Sequence, residues 1–266
     1  MTLRFADNSW ALILGGSSGF GLASARGLAA RGMNVAIVHR DRASALPAFE
    51  RELAEMRRTA RVVSFNLDAL GAGEQRSVLD ELERRLAPTE RIRLLLHSIA
   101  WGNLRPLLGD TPEAPVLDDE DFARTIFAMG TSLLGWTREV SNRKLFESDA
   151  RVIGLTSEGS CRVWPAYAAV STAKAALEAL SRAIAVEFAP RGIRSNVIWA
   201  GVADTPALRK IPGGSELAQR KARENPLGRL TTPDDVADVV CLLCTDEARW
   251  LNGSIVRVDG GEHLVA

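Results

Sequence analysis

Short apolar runs alternate with longer segments of helical period along this chain of 266 residues, and that alternation leaves few folds open. Runs that are apolar throughout, rather than at every second position, suit strands covered on both faces, and a helix between successive strands makes their sheet parallel. The runs are "WALILGG", "NVAIVHR", "RVVSFNL", "IRLLLHSIA", "ARVIGLTS", "IRSNVIWAG" and "GSIVRVDGG". Helical periodicity lies between them in "GLASARGLAARG", "ALPAFERELAEMRRT" and "EQRSVLDELERRLA", around residues 119 to 146, from about 167 to 188, and near 234 to 244. The expectation is an α/β fold, a doubly wound, seven-stranded parallel sheet flanked by helices, with residues 1–266 forming one domain. A hydrophobic content of 46% supports a core of that size.

Two stretches break the rhythm. Residues 102 to 118, "GNLRPLLGDTPEAPVLD", are rich in Gly and Pro, and residues 203 to 226 form a long charged insertion. Open parallel sheets bind ligands in loops outside the carboxyl ends of their strands, so both are candidates for a substrate lid. Basic and acidic residues number 33 each, and no overall field gathers nucleic acid or an anionic membrane. The amino end, "MTLRFADNSWALILGG", has no basic segment leading into a long apolar run, and no later stretch is apolar for long enough to span a bilayer; a cytoplasmic protein is expected. Three cysteines argue against a disulfide framework, and Cys241 and Cys244, inside the helical pattern "DDVADVVCLLCTDE", are expected to pack in the core. His39, His97 and His263 are too scattered to suggest a metal site.

Directly after the first apolar run comes "GGSSGFG", which sets Gly15, Gly19 and Gly21 in G-x3-G-x-G spacing at the start of a helix. Such a turn lets the backbone approach a pyrophosphate, which rests against the positive end of the helix. Ser17 and Ser18 add hydroxyl donors, and Phe20 completes the loop. This is the arrangement of a Rossmann dinucleotide site. A site preferring NAD usually ends its second strand with a carboxylate on the ribose hydroxyls, whereas this strand ends His39-Arg40. A guanidinium pairs with a 2′-phosphate, which makes NADPH the expected cofactor; Asp41, next in line, would return the preference to NADH if it swung inward. Asn66 and Leu67, closing the third strand, are expected beside the adenine, as a polar contact and an apolar wall.

In "YAAVSTAK", Tyr167, the one tyrosine of the chain, stands seven residues before Lys174. On a helix that spacing returns to nearly the same face two turns along, so both side chains aim into one pocket. These features together resemble the short-chain dehydrogenase/reductases over the whole chain, from "GGSSGFG" to the closing "VDGG", and within them the NADPH-using third type of enoyl-acyl-carrier-protein reductase. The ketoreductase pattern Tyr-x3-Lys would need tyrosine at Val170, while Tyr-x6-Lys fits Tyr167 and Lys174. The usual Asn-Asn-Ala-Gly is replaced by "HSIA", the relay asparagine falls near Met129, and the usual Pro-Gly is Ala200-Gly201.

The resemblance implies an enoyl-thioester reductase of fatty acid or polyketide synthesis. Hydride goes to the β-carbon while charge builds on the thioester oxygen two carbons away, so the donor stands further out than in ketone reduction. Moving tyrosine by three residues, about 4.5 Å of helix, is a displacement of that order. Lys174 would bind the nicotinamide ribose and Tyr167 would stabilise the enolate, the α-carbon proton coming from water or from Tyr167. Gly201, Val202 and Thr205 occupy the family's nicotinamide-amide positions, and Ser98, Ile99 and Ala100 would lie under the cofactor. Ser157 falls both where type I enoyl reductases carry an outer tyrosine and where ketoreductases keep a catalytic serine.

Trp101, Gly102, Leu104, Pro106 and "TPALRKIPGG" supply surface for an acyl tunnel, and Arg209, Lys210, Arg220, Lys221 and Arg223 form a basic rim suited to an acidic acyl carrier protein or a coenzyme A thioester. The apolar tail "SIVRVDGGEHLVA" suits an interface in a homotetramer, the usual assembly of the superfamily. A carbonyl reductase is the alternative, against which Val170 and Met129 speak. A non-catalytic cofactor-binding sensor would have lost Tyr or Lys.

Overall fold

In the computed structural model, which describes residues 3–265, the apolar runs are strands and the periodic segments are helices. Met1, Thr2 and Ala266, which belong to the terminal stretches quoted above, lie outside the described residues. The strands are β1 (Ser9–Leu14), β2 (Asn34–His39), β3 (Val62–Asn66), β4 (Arg91–His97), β5 (Phe146–Thr156), β6 (Ile193–Ala200) and β7 (Ile255–Val258). They form one seven-stranded sheet in the order β3-β2-β1-β4-β5-β6-β7, every neighbouring pair parallel. The order reverses between β1 and β4, which opens a crevice at the carboxyl ends of those strands.

The helices are α1 (Gly19–Ala30), α2 (Leu46–Met56), α3 (Ala72–Arg85), α4 (Asp119–Ile126), α5 (Ser132–Asn142), α6 (Ala168–Glu187), α7 (Gly214–Glu224) and α8 (Pro233–Leu243). Alternate residues of β1 serve opposite faces, as a pleated strand requires. Ala11 and Ile13 pack with Leu28, Leu53, Val236 and Cys241 under α1, α2 and α8. Trp10, Leu12 and Leu14 pack with Leu79, Trp136 and Leu177 under α3, α5 and α6. Cys241 and Cys244 are both buried in the first of these layers, and burial raises the Cys241 thiol to about 11.

Two segments differ from the sequence expectation. The single helix expected around 119 to 146 is α4, a π-helical turn at Phe127–Thr131, and α5, which stops at Asn142. Lys144, at φ 57, turns the chain so that β5 already begins at Phe146. The insertion at 203 to 226 is not only loop, for it contains α7, whose inward residues are Gly214, Leu217 and Lys221. No described helix is long and apolar enough to cross a membrane.

Candidate active site

The glycine turn after β1 has room for a phosphate because side chains are missing where backbone segments meet. Gly15 has φ +81, and a Cβ there would lie 2.6 Å from the Ser98 carbonyl oxygen; a Cβ on Gly21 would collide with the Gly15 carbonyl oxygen. The N-cap of α1 is Ser18, whose side chain makes no capping bond, and the first turn holds no acidic residue. Its N–H groups therefore keep their capacity for an anion, and the pyrophosphate of a dinucleotide fits the cradle. Ser98 donates its N–H to Leu14 at 2.8 Å, and a Cβ on Gly19 would stand 3.6 Å from Thr205 Cγ2. Gly15, Gly19, Gly21, Ser98 and Thr205 are thus brought together at the crevice. Ser17 and Phe20 are half-buried there and Ser18 is exposed, while Ile99 packs against the core and Ala100 is exposed.

At the far end, Arg40 is exposed and pairs with Asp68 at 2.6 Å. The Asp41 carboxylate contacts the buried ring of His39 at 2.8 Å. Asn66 is clasped to the Asp41 backbone, accepting its N–H at 2.9 Å and donating to its carbonyl at 3.1 Å, so its side chain braces the β2 and β3 ends. That takes up one of the two side-chain amide N–H groups of Asn66, which is itself exposed. Leu67 is half-buried beside it.

Tyr167 is the N-cap residue of α6, and the residue before it, Ala166, has φ 60. An L-residue in the left-handed region costs about 1–2 kcal/mol, and asparagine tolerates it better than alanine. Ala166→Asn is therefore expected to raise stability by about 0.5–1 kcal/mol, seen as a higher urea midpoint at unchanged slope. A lower midpoint would mean that the turn is not strained.

The Tyr167 ring rests on Gly159, where a Cβ would lie 2.7 Å from Cε1. Burial lifts the phenol above its ordinary pKa, and the nearby Ser157 hydroxyl pulls the other way. The group is neutral at pH 7 and available as a donor. Two turns along, Lys174 is 7% exposed and its Nζ donates to the Leu155 carbonyl at 2.7 Å. Burial pushes its ammonium down to about 8, opposed by Glu178. Val170 and Met129 are buried with Ala128 and Ala173, and Tyr167 and Leu104 pack on them. Gly102 joins this floor, since a Cβ there would lie 3.0 Å from Val170 Cγ2 and 3.2 Å from Met129 Sδ. Trp101, Leu107 and Leu108 are exposed above it. The 102–118 segment is tied to α4, with Asn103 and Arg105 both bonded to Asp121.

The expected basic rim is reduced. Arg209 is held by both oxygens of Asp204 at 2.9 Å, Arg220 lies over Trp164 at 5.7 Å, and Lys221 is buried. Lys210 and Arg223 remain exposed. Gly201 follows β6 against Thr231 and Asp259, and the Val202 N–H donates to Glu262 at 3.2 Å.

A family model described as Enoyl-(Acyl carrier protein) reductase matches residues 15–263. The chain belongs to that family of short-chain dehydrogenases/reductases. Among relatives of this chain, the enoyl-[acyl-carrier-protein] reductase [NADH] FabI of Aquifex aeolicus is 33% identical over 173 residues, 65% of this chain and 62% of that protein. That match spans less than two thirds of the relative's length. The crystal structure of the Aquifex aeolicus enzyme is similar over 99% of this chain and 98% of that one, with a TM-score of 0.81 and 27% identity. The 4-formylbenzenesulfonate dehydrogenase of Comamonas testosteroni is 28% identical over 96% of this chain and 97% of its own. By family the chain is therefore an NAD(P)-type oxidoreductase, with relatives named for more than one reaction.

Several residues at the site carried no sequence signal that singled them out. His97 sits in the quoted "HSIA", buried, with Nε2 2.9 Å from Ser132 Oγ; burial and the Lys174 charge hold it neutral, down to about 3. It ties the end of β4 to the first turn of α5. Asp68, Glu158 and Glu262 are ordinary surface letters in the sequence, and only their neighbours in space give them significance.

Proposed function

We propose that this chain is an NADPH-dependent enoyl-thioester reductase of the cytoplasm, acting on a trans-2-enoyl acyl carrier protein or coenzyme A ester in fatty acid or polyketide synthesis. The observation that carries the reading is the neutral Tyr167 phenol standing over an apolar floor of Val170 and Met129, with Lys174 two turns along the same helix. A ketone reductase of this family would need its acid where Val170 lies, and its relay where Met129 lies. Both are apolar and buried.

The reduced dinucleotide, when bound, supplies the hydride. Gly15, Gly19, Gly21 and the start of α1 would hold its pyrophosphate, and Lys174 its nicotinamide ribose. Tyr167 then donates a hydrogen bond to the thioester oxygen as the β-carbon is reduced, and Lys174 adds positive charge close by. Trp101, Gly102 and Leu104 would face the acyl chain, and Ser157 orients the phenol. The short edge strand β7, with Ile255 exposed, and the turn after it, with Leu264 exposed, are where a homotetramer would form.

NADPH is favoured over NADH because Arg40 is exposed at the ribose end, where a 2′-phosphate would compete with Asp68 for its guanidinium, whereas Asp41 is turned onto His39. Arg40→Ala is expected to raise the KM for NADPH about 10- to 100-fold, the value of a charge-assisted bond, with the KM for NADH changed by less than about twofold. Equal effects on both cofactors would remove Arg40 from phosphate recognition. The reading itself is tested by following NADPH absorbance with crotonyl-CoA and, in parallel, a β-ketoacyl thioester. Oxidation with the keto substrate alone would replace it by the carbonyl-reductase reading, which the Ser157 hydroxyl beside the phenol favours.

A further inference from the structure

Lys221 of α7 points into the protein. It is 4% exposed, and its ammonium lies 2.9 Å from Glu158 Oε2 and 3.6 Å from Glu262 Oε1. Glu262, 2% exposed, uses its other carboxylate oxygen to accept the Val202 N–H at 3.2 Å. Glu158 stands between Ser157, whose hydroxyl lies near the Tyr167 phenol, and Gly159, which supports the phenol ring. One buried ammonium thus joins the insertion, the turn beneath the phenol and the exit of β6.

The rest of α7 is held loosely except at its end. Its buried residues are Gly214, Leu217 and Lys221, so its apolar face is narrow. At the C-cap the buried Asn225 donates to the Asp259 carbonyl at 2.9 Å. The Trp164 indole donates to the Pro212 carbonyl at 3.0 Å and Arg220 lies over the Trp164 ring, and both of these join the insertion to the same 157–167 segment. Arg162, 3.7 Å from Glu158, is half-exposed and reaches neither Glu262 nor α7. Without Lys221, two carboxylates would face each other in a buried space, and they would move apart.

We propose that Lys221 is a positioning residue: through Glu158 and Glu262 it holds the insertion closed over the Tyr167 turn and fixes the phenol relative to the β6 exit. The proposal rests on Tyr167 being the donor to substrate. Lys221→Met keeps the aliphatic stem and removes the charge. With crotonyl-CoA it is expected to lower kcat about 30-fold, a loss within the range produced by roughly an ångström of misplacement, with the Kd of NADPH changed less than about threefold. Amide hydrogen exchange across 203–226 and 157–162 should quicken about tenfold, while β1 and β4 keep their protection. Glu158→Gln should show a smaller loss of the same kind, and the double variant should be no slower than Lys221→Met alone, because both act through one contact. Should Lys221→Met not fold, Glu158→Gln carries the same comparison. Unchanged kcat and exchange, fully additive losses, or turnover and NADPH binding falling together would each overturn the proposal. Hydrogen exchange reads the clamp even if the wild-type protein leaves crotonyl-CoA untouched, a result that would sink the enoyl-reductase reading instead.

Discussion

Tyr167→Phe is expected to lower kcat about 10²- to 10³-fold, the usual effect of removing one preorganised donor from a developing oxyanion, while the Kd of NADPH stays within about twofold. The ring is kept, so its packing against Gly159 and the Val170 floor survives and the loss reports the hydroxyl. No other tyrosine exists in the chain to replace it. Single-turnover reduction of crotonyl-CoA with saturating NADPH separates chemistry from cofactor binding. A variant that loses both in proportion would show the tyrosine to be a packing residue, and one that keeps its rate would remove the phenol from the reaction.

The second large effect belongs to Lys174. Burial lowers its ammonium to about 8, whereas the Tyr167 phenol is raised above its ordinary value. As pH rises, the lysine therefore discharges first. Its charged form is the one that holds the ribose hydroxyls and favours negative charge on the substrate, so kcat/KM is expected to be level below pH 7 and to fall through an apparent pKa near 8. The phenol stays protonated over that whole range. Lys174→Met should lower kcat/KM for NADPH about 100-fold or more and abolish this alkaline limb, since the methionine cannot titrate. A limb near 8 that persists in Lys174→Met would assign it to another group. A wild-type limb appearing only above 10 would mean that the ammonium keeps its ordinary range in the free enzyme, and the lowered value would be wrong.

The strands were legible because each is a short apolar run whose period depends only on nearby residues. The turn "GGSSGFG" was legible for a similar reason, since a backbone that approaches a phosphate needs its glycines at fixed spacing. The shared face of Tyr167 and Lys174 was read from helical spacing, and their roles from the resemblance to the family. The break of the 119–146 helix was not legible: the π-helical turn forms where Gly130 backs onto α6, a Cβ there lying 2.9 Å from the Ala173 carbonyl oxygen. Helical period says nothing of a neighbour so distant in sequence.

Charge was the least legible property. Arg209, Lys210, Arg220, Lys221 and Arg223 read alike as a basic rim, yet Lys221 is drawn inward by Glu158, 63 residues away, and Arg209 is neutralised by Asp204. Arg40 reads as a phosphate ligand, and in the fold it stands against Asp68. The sequence by itself determined the layered sheet, the glycine cradle and the shared face of Tyr167 and Lys174, because these arise from spacing along one strand, turn or helix. The tertiary structure alone decided which carboxylate each cation meets and how deeply the phenol and the ammonium are buried, because Coulomb attraction and desolvation act through distances in space.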